Sequence, residues 1–282
     1  MKELAIIGAG KAGRALGRLA RAAGYGIGPV VCRTRAHAEA AAAFIGGGRA
    51  GTEPVGAALT LVCVPDGAIG EVARALKAPP GAVVAHTCGR LGAEALRPHR
   101  PAGAVHPLRS FGDPARAAEL FGGTACAVEG DPAAVRELEA FVRAVGGRPL
   151  RVRAGRKALY HAGAVFASNY VAAALGAGLR LFEKAGVGRE EARRALGALA
   201  EGTLANVASV GLPEALTGPV ERGDAGTVRA HAEALAEGAP GLAEAYAALG
   251  RLAVKMALEK GSIDAAAARR VRAALGRGTS RR

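Results

Sequence analysis

The sequence predicts an α/β protein of two domains: a doubly wound parallel sheet over residues 1–152, followed by an all-helical domain over residues 153–282. Three observations support this. Short apolar runs alternate with stretches of helical spacing through the first half of the chain. The first of these runs breaks into a glycine-rich turn. From about residue 153 the strand patterns stop, and the remaining residues are rich in Ala and Leu at helical spacing.

The first domain is predicted to alternate strands with helices through short connections. The run LTLVCV at residues 59–64 is continuous, which is typical of a parallel strand buried on both faces. Asp66 is expected to cap a helix over residues 67–76, and Asp131 with Pro132 is expected to open another. Further strands are predicted near residue 4 and at 28–32, 82–87, 102–106, 124–129 and 147–152, and further helices at 11–23 and 36–44.

The second domain is predicted to be helical throughout. Its longest helix, residues 157–184, is apolar nearly all round, and such a helix must be buried by other helices or by a second subunit. We therefore expect a homodimer that forms through the C-terminal helices. The other predicted helices cover residues 189–208, 227–237, 242–259 and 264–275, with a shorter piece at 213–216.

The chain carries a formal net charge of +14, from 38 Lys and Arg against 24 Asp and Glu. Arginine is spread over nearly every predicted helix, and only residues 269–282 form a dense basic cluster. Tryptophan is absent, and the sequence contains no DNA- or RNA-binding motif. We therefore do not expect a nucleic-acid partner, although a basic surface favours polyanionic ligands such as a phosphorylated dinucleotide.

The four cysteines are scattered singly, at Cys32, Cys63, Cys88 and Cys126. This spacing fits neither a zinc site nor a disulfide scaffold, so we predict no metal and expect buried thiols in a reducing cytosol. No apolar run approaches the roughly 18–20 residues that cross a bilayer. The N-terminus lacks the features of a signal peptide. The sequence therefore predicts a cytoplasmic protein without a membrane partner.

The residues after the first strand form a Gly-x-Gly-x-x-Gly motif, with glycines at Gly8, Gly10 and Gly13. Between a strand and a helix, this motif is typical of dinucleotide-binding Rossmann domains. Gly8 permits the tight turn, Gly10 lets the backbone approach a pyrophosphate, and Gly13 lets the helix pack on the strand. The helix N-terminus directs free N–H groups at that anion. The predicted cofactor-binding residues of this turn are Gly8, Ala9, Gly10, Lys11, Ala12 and Gly13.

The end of the second predicted strand indicates NADP rather than NAD. NAD-binding domains usually carry an acidic residue about 20 residues past the glycines, where it binds the ribose 2′-hydroxyl. Here Cys32 is followed by Arg33, Thr34 and Arg35, with no acid. Two guanidiniums and a hydroxyl suit a 2′-phosphate, although these arginines could also belong to the general surplus. Three residues after a later strand complete the predicted cofactor site: Val64, Pro65 and Asp66.

Polar side chains follow several strands at the edge where ligands bind in open α/β sheets. His106 has a pKa range suited to proton transfer near neutral pH. Thr87 could donate a hydrogen bond to the cofactor carboxamide or to the substrate. A structural role is as compatible with His86, which precedes a glycine turn inside an apolar run.

The start of the long predicted helix supplies further candidates. At 100° per residue, Lys157, His161 and Ser168 share one face, within about 40° of one another, whereas Asn169 points about 120° away from Lys157 and could form another wall. Lys157 could polarise a carbonyl or pass a proton if partly desolvated, or it could be a solvated lysine at a helix start. His161 is also compatible with a structural role.

These residues together resemble a family. The chain is similar, over nearly its whole length, to uncharacterised Rossmann-like proteins with a helical C-terminal domain of unknown function, relatives of 6-phosphogluconate, 3-hydroxyisobutyrate and pyrroline-5-carboxylate oxidoreductases. The resemblance implies an NADP-binding domain and an all-α dimerisation domain like that of 6-phosphogluconate dehydrogenase, without implying a substrate. The segments that carry it are LAIIGAGKAG, LTLVCVPDGAI, AHTCG, AVHPLRSF, KALYHAGAVFASNY and LTGPVERGD.

Two partial resemblances bear on mechanism. In β-hydroxyacid dehydrogenases a catalytic lysine opens the long helix and an asparagine follows four residues later. Lys157 matches that lysine, whereas His161 stands at the asparagine position. The segment AVHPLRSF resembles the His-Pro segment of prephenate dehydrogenases, where the histidine acts on the substrate hydroxyl, and His106 matches it.

Three functional hypotheses follow. The leading one is an NADP-dependent oxidoreductase that acts on a small carbonyl, alcohol or imine in a cleft between the domains, with His106 or Lys157 transferring the proton and Thr87 and Asn169 forming a polar wall. The second is a non-catalytic NADP(H)-binding sensor or regulatory protein. The third is a basic nucleic-acid binder on a repurposed Rossmann fold.

Overall fold

The computed structural model describes residues 2–276, and the chain divides into two compact units between Ala167 and Ser168. The sequence places the boundary after residue 152. The two positions differ because the helix that starts at Lys157 belongs to the first unit, where its first turn is hydrogen-bonded to the loop after a central strand.

The first unit is built on an eight-stranded sheet with the order β3-β2-β1-β4-β5-β6-β7-β8. All neighbouring strands are parallel except β6 and β7. The strands are β1 (Glu3–Ile7), β2 (Gly26–Val31), β3 (Arg49–Gly51), β4 (Leu59–Val62), β5 (Val83–His86), β6 (Ala102–Pro107), β7 (Ala125–Gly130) and β8 (Arg148–Arg151).

Six α-helices of the first unit surround this sheet, with 3-10 turns at Asp66–Ala68 and Ala93–Leu96. One apolar cluster packs Leu4 and Ile6 with α1 and α5, and a second packs Ile7 and Val62 with α3. Alternate residues of β1 therefore belong to different cores, which confirms the doubly wound fold. The helices are α1 (Lys11–Ala22), α2 (Arg35–Ile45), α3 (Ile69–Ala75), α4 (Pro114–Glu119), α5 (Pro132–Ala144) and α6 (Lys157–Ala167).

The wholly parallel sheet that the sequence predicts needs one correction, because β7 and β8 run opposite to the other strands. The connection from β6 to β7 contains only the six-residue helix α4. The chain returns to the edge that it left, and β7 pairs antiparallel with β6. The three-residue edge strand β3 was not predicted.

Two predicted helix caps are also corrected. Asp66 begins a 3-10 turn and makes no capping hydrogen bond; its carboxylate lies 3.4 Å from Nε of Arg90 instead. Asp131 precedes α5, but its side chain accepts a hydrogen bond from the N–H of Ala102 at 3.0 Å rather than capping the helix. Both carboxylates therefore connect separate segments of the chain.

The second unit is helical, as predicted. Its core packs α9, α10 and α11 around Val228, Val254 and Val271. The piece predicted as a helix at residues 213–216 consists of turns instead. Lys260 holds this segment by donating hydrogen bonds to the Leu216 carbonyl at 2.9 Å and to Glu221 at 3.0 Å. The helices are α7 (Asn169–Lys184), α8 (Arg189–Val210), α9 (Ala225–Gly238), α10 (Pro240–Lys260) and α11 (Ala265–Ala274).

The long helix predicted over residues 157–184 is two helices, because Ser168 leaves the helical conformation with φ −123° and ψ −71°. This stretch also corrects the expectation that no apolar run is long enough to span a bilayer. Within the described residues, 157–184 is the one stretch that meets the length and composition of a membrane span. An 18-residue window of this stretch has a mean hydropathy of 1.4, and none of that window is buried. Apolar helices of soluble proteins pass the same test.

The basic cluster at residues 269–282 falls partly within α11, and its last six residues lie outside the described part of the chain.

Candidate functional site

The glycine turn between β1 and α1 has little room for larger residues at two of its glycines. Gly8 has a φ of +87°, and a Cβ there would lie 2.9 Å from the backbone nitrogen of Val64. A Cβ on Gly13 would lie 2.8 Å from the Gly8 carbonyl oxygen and 3.2 Å from the Ile6 side chain. Gly8 therefore forms the turn against β4, and Gly13 brings α1 close to β1.

Gly10 differs from the other two glycines of the motif because the space at its Cβ position is open. No atom lies within 4 Å of the Cβ position of this exposed glycine. The first α1 backbone hydrogen bond runs from Arg14 N to Gly10 O, and the amides of Lys11 and Ala12 precede it in the first turn, where N–H groups have no partner within the helix. Open space beside several N–H donors at a helix N-terminus fits a phosphate group.

The three predicted 2′-phosphate ligands that follow Cys32 after β2 are all exposed but differ in their partners. Thr34 caps α2, because its hydroxyl accepts a hydrogen bond from the His37 N–H at 3.3 Å. Arg35 pairs with Glu39 through Nε and Oε1 at 2.8 Å. Arg33 pairs with no side chain in the described part of the chain. Of the predicted 2′-phosphate ligands, Arg33 therefore has the guanidinium that is free to bind.

Residues 64–66 continue from β4 beside this turn. Val64 lies against Gly8, and Pro65 leads into the 3-10 turn that begins with Asp66. The neighbouring thiol of Cys63 is hydrogen-bonded to Thr87, and burial raises the pKa of this thiol to about 12. Thr87, predicted as a substrate or cofactor contact, thus joins the ends of β4 and β5.

His86 at the end of β5 is fully buried and has a structural role. Its Nε2 lies 2.9 Å from the Gly92 carbonyl oxygen. Its Nδ1 accepts a hydrogen bond from the backbone N–H of Cys88, with 3.2 Å between the two nitrogens. These partners require a proton on Nε2. Burial lowers the pKa of His86 to about 4, so the neutral ring fixes the loop over residues 87–92.

Lys157 is buried, with 3% of its surface exposed, at the start of α6. Its Nζ donates a hydrogen bond to the Cys88 carbonyl oxygen at 2.7 Å. Burial lowers the pKa of Lys157, while the charge of the buried Glu129 raises it. This position excludes the solvated lysine that was one of the two alternatives, and the burial meets the condition set for the other, a lysine that polarises a carbonyl or passes a proton. Lys157 attaches α6 to the β5 loop.

His106, Tyr160, His161 and Gly89 come together at the end of β6, and we call these four residues the imidazole cluster. The hydroxyl of Tyr160 lies 2.9 Å from His106 Nδ1. The rings of His106 and His161 are 5.7 Å apart and nearly perpendicular. A Cβ on Gly89 would lie 3.0 Å from His106 Nε2 and 2.5 Å from His161 Nδ1. Only glycine at position 89 lets both imidazoles approach so closely.

Burial keeps two members of the imidazole cluster, His106 and Tyr160, neutral. Burial, with a smaller effect from the charge of Lys157, lowers the pKa of His106 to about 4. Burial raises the pKa of Tyr160 to about 12. The Nδ1 of His161 is buried without a hydrogen-bond partner among the described residues. At neutral pH His106 and Tyr160 are therefore uncharged groups that can donate or accept a proton.

The sequence prediction missed Tyr160 and Gly89, although both lie in segments that it quoted. Tyr160 is three residues after Lys157 and could have been placed on the same side of α6. The sequence prediction also placed Lys157, His161 and Ser168 on one helix face, but α6 ends at Ala167. Ser168 and Asn169 belong to the second unit, where Ser168 precedes α7 and Asn169 begins it.

Across residues 2–276, no three His, Cys, Asp or Glu side chains are grouped so that they could hold an ion.

Two family models match the chain. A Rossmann-like domain matches residues 2–109, and a domain of unknown function, DUF2520, matches residues 124–253. The predicted resemblance to Rossmann-like proteins with a C-terminal domain of unknown function is thereby confirmed. No curated protein matches the chain in sequence.

Solved structures share the fold over nearly the whole chain. A protein from Thermotoga maritima is 25% identical, with a TM-score of 0.75 over 92% of this chain and 99% of that one. A Bacteroides fragilis protein provisionally assigned as an NADP oxidoreductase is 21% identical, with a TM-score of 0.71 over 90% and 98%. A 1-pyrroline-5-carboxylate reductase from Streptococcus pyogenes is 15% identical, with a TM-score of 0.65 over 92% and 98%.

Proposed function

We propose that this chain, a Rossmann-like domain followed by a DUF2520 domain, is an NADP-dependent oxidoreductase that transfers a hydride between NADP(H) and a small carbonyl, alcohol or imine. One observation carries the proposal: the open glycine turn after β1 and the imidazole cluster at the end of β6 belong to the carboxyl edge of the same sheet. Ligands of open α/β sheets bind at this edge. The oxidoreductases that share the fold support the same kind of reaction by analogy.

The glycine turn fits the pyrophosphate of a dinucleotide. Gly10 leaves space for it, and the first amides of α1 point their N–H groups at the anion. Arg33 fits the 2′-phosphate, since it follows β2 and its guanidinium has no other partner in the described residues. NADPH, when bound, supplies the hydride, and the protein supplies position and proton transfer.

His106 is the residue we assign to proton transfer. Tyr160 binds Nδ1, so Nε2 is the nitrogen left for a substrate. In the reducing direction, a proton moves from Nε2 to the substrate oxygen or nitrogen that has gained the electron pair, while Nδ1 takes the phenol proton of Tyr160. A solvent proton then restores the Tyr160 hydroxyl, and exchange with solvent returns the ring proton from Nδ1 to Nε2, so that one solvent proton is consumed per turnover and the imidazole is neutral at each end of the cycle.

Lys157 acts through His106 rather than on the substrate. Its Nζ is occupied by the Cys88 carbonyl and is buried. Its positive charge disfavours a second positive charge on His106 and so helps to lower the pKa of that imidazole. Lys157 is therefore a positioning residue that holds the β5 loop and keeps His106 neutral.

Calorimetry and turnover together test this proposal. NADPH should bind more tightly than NADH, and Arg33→Gln should weaken NADPH binding by about 10-fold or more, while the matched control Arg35→Gln has a smaller effect. NADPH oxidation should then occur with members of a panel of oxo acids and cyclic imines. Tight NADPH binding without any turnover would favour a non-catalytic sensor. The absence of binding heat with either coenzyme would refute both.

We also propose that a second copy of the chain covers the exposed apolar side chains of α7 and α8. Leu199, Leu204 and Phe182 are 65%, 56% and 36% exposed. A cover of this kind accounts for the hydropathy of residues 157–184 without a membrane.

The four free cysteines are consistent with a reducing compartment, so we place the activity in the cytoplasm.

A further inference from the structure

The segment that follows His106 lines a small cavity outside the imidazole cluster. Its backbone is held by hydrogen bonds from Leu108 N to Ala125 O at 2.8 Å and from Arg109 N to Pro107 O at 2.9 Å. The cavity has a volume of about 210 Å³ and lies between this segment and α4. A space of this size holds a small chemical group rather than a whole cofactor.

The polar lining of the cavity is mainly cationic. Arg109, Ser110 and Arg116 face it, and Nε of Arg109 is buried without a hydrogen-bond partner among the described residues. A buried donor without an acceptor costs free energy. Neither guanidinium pairs with a carboxylate in the part of the chain that the structure describes.

The acidic residue at this cavity does not neutralise it. The Oδ1 of Asp113 accepts a hydrogen bond from the backbone N–H of Arg116 at 2.7 Å, which caps α4. Two guanidiniums against one carboxylate leave the cavity with one net positive charge. Ala117 and Leu120 add apolar surface beside these groups. The combination suits an oxyanion carried on a short apolar body.

The cavity lies at the same sheet edge as the proposed reaction. It follows the carboxyl end of β6, and Arg109 is three residues after His106. The helix α4 on its other side packs against α1, which begins at the glycine turn. An oxyanion bound in this cavity therefore lies at the sheet edge where ligands of open α/β sheets bind.

We infer that the cavity of Arg109, Ser110 and Arg116 binds the carboxylate or phosphate of the substrate, so that the substrate is a small acid. The assignment to a substrate rests on the proposed function, whereas the anion site stands on its own contacts. A phosphate of the cofactor has the same chemistry, and the experiment separates the two sources.

The first measurement does not depend on activity. Inorganic phosphate and acetate are titrated calorimetrically into the full-length protein and into Arg109→Gln, Arg116→Gln and Arg136→Gln. Arg136 is an exposed arginine of α5, so its variant removes the same charge elsewhere. Each of the first two variants should bind the anions about 10-fold or more weakly than the wild type, and the control should bind them equally. Arg116 is exposed, so its variant should fold even if Arg109→Gln does not.

The second measurement identifies the source of the anion. NADPH oxidation is compared between 1-pyrroline-5-carboxylate and 1-pyrroline, and between pyruvate and pyruvamide. The acids should react better than their uncharged partners, and Arg116→Gln should raise KM for the acids by about 10-fold with an unchanged Kd for NADPH.

Three outcomes overturn the inference or part of it. Equal anion binding by wild type and both variants, or none by wild type, removes the anion site. A raised Kd for NADPH in the variants assigns the cavity to the cofactor and refutes the substrate role. Arginine-dependent anion binding without turnover of any substrate supports the site but refutes the proposed function.

Discussion

The hydroxyl of Tyr160 and Nδ1 of His106 lie 2.9 Å apart, so the first turn of α6 is hydrogen-bonded to the end of β6. This contact fixes which nitrogen of His106 is available, and Gly89 leaves room beside that nitrogen. The proposed proton transfer depends on this pair, and the first two predictions test it.

Tyr160→Phe should slow NADPH oxidation by roughly 10- to 100-fold because it removes the proton that enters Nδ1 while keeping the ring in place. NADPH affinity should not change, since Tyr160 is not among the residues proposed to bind the pyrophosphate or the 2′-phosphate. Single-turnover kinetics and calorimetry measure the two quantities. Leu159→Ala, at an exposed residue of the same helix, provides a control with intact His106 contacts. Wild-type rates in Tyr160→Phe would contradict the proton relay.

Lys157→Met should leave measurable turnover but raise the pKa of His106, because the charge that helps to lower it is gone. The acid limb of the pH–rate profile should therefore move to higher pH. Loss of the hydrogen bond to Cys88 should also destabilise the protein by about 1–3 kcal/mol. Complete loss of turnover in a folded variant would show that Lys157 acts on the substrate itself, and an unmoved acid limb in an active variant would refute its effect on His106.

The buried His86 should make the protein less stable in mild acid. Its imidazole has a pKa of about 4 in the folded chain, against 6.5 for the unperturbed side chain. Between these values the unfolded chain binds a proton that the folded chain does not, so stability falls as the pH falls from about 6.5 towards 4, by up to roughly 3 kcal/mol for one such group. Urea midpoints at pH 7 and pH 5 measure this loss. His86→Asn should lose less stability between the two pH values than the wild type, and an equal loss would refute the assignment.

Two alanine substitutions in the glycine turn should separate folding from binding. Gly10→Ala meets no atom within 4 Å, so thermal stability should be nearly unchanged while the added methyl group occupies the proposed phosphate space and weakens NADPH binding by 10-fold or more, an order-of-magnitude expectation. Gly13→Ala places its Cβ 2.8 Å from the Gly8 carbonyl and should lower stability by about 1–3 kcal/mol. Calorimetry with NADPH and thermal melts of both variants decide the question. Unchanged NADPH affinity in Gly10→Ala would place the cofactor elsewhere.

The proposed homodimer makes a prediction about mass in solution. Leu199→Glu and Leu204→Glu place charges on exposed positions of α8, so each variant should shift the light-scattering mass from dimer to monomer at micromolar concentration. Liposome flotation of the wild type addresses the alternative cover for this apolar face. A monomeric wild type, or one that floats with liposomes, would refute the dimer.

The sequence alone predicted the features whose causes are local. The glycine turn, the strands around it and most helices follow from the order of apolar, polar and glycine residues over a few positions. Lys157 and His161 were placed on one helix for the same reason, and α6 contains both. The change from strand to helix spacing near residue 153 likewise separated the sheet from the helical part.

Only the tertiary structure decided how distant segments meet. The antiparallel pairing of β7 with β6 is one example, and the contact of Lys157 with a carbonyl that lies 69 positions earlier in the chain is another. Tyr160 is identified as a site residue by its contact with His106, which joins α6 to β6. Arg109 is identified by the cavity that it lines together with α4. Burial and hydrogen-bond partners set the charge and direction of a side chain, and both arise from contacts between residues far apart in sequence, which local patterns do not encode.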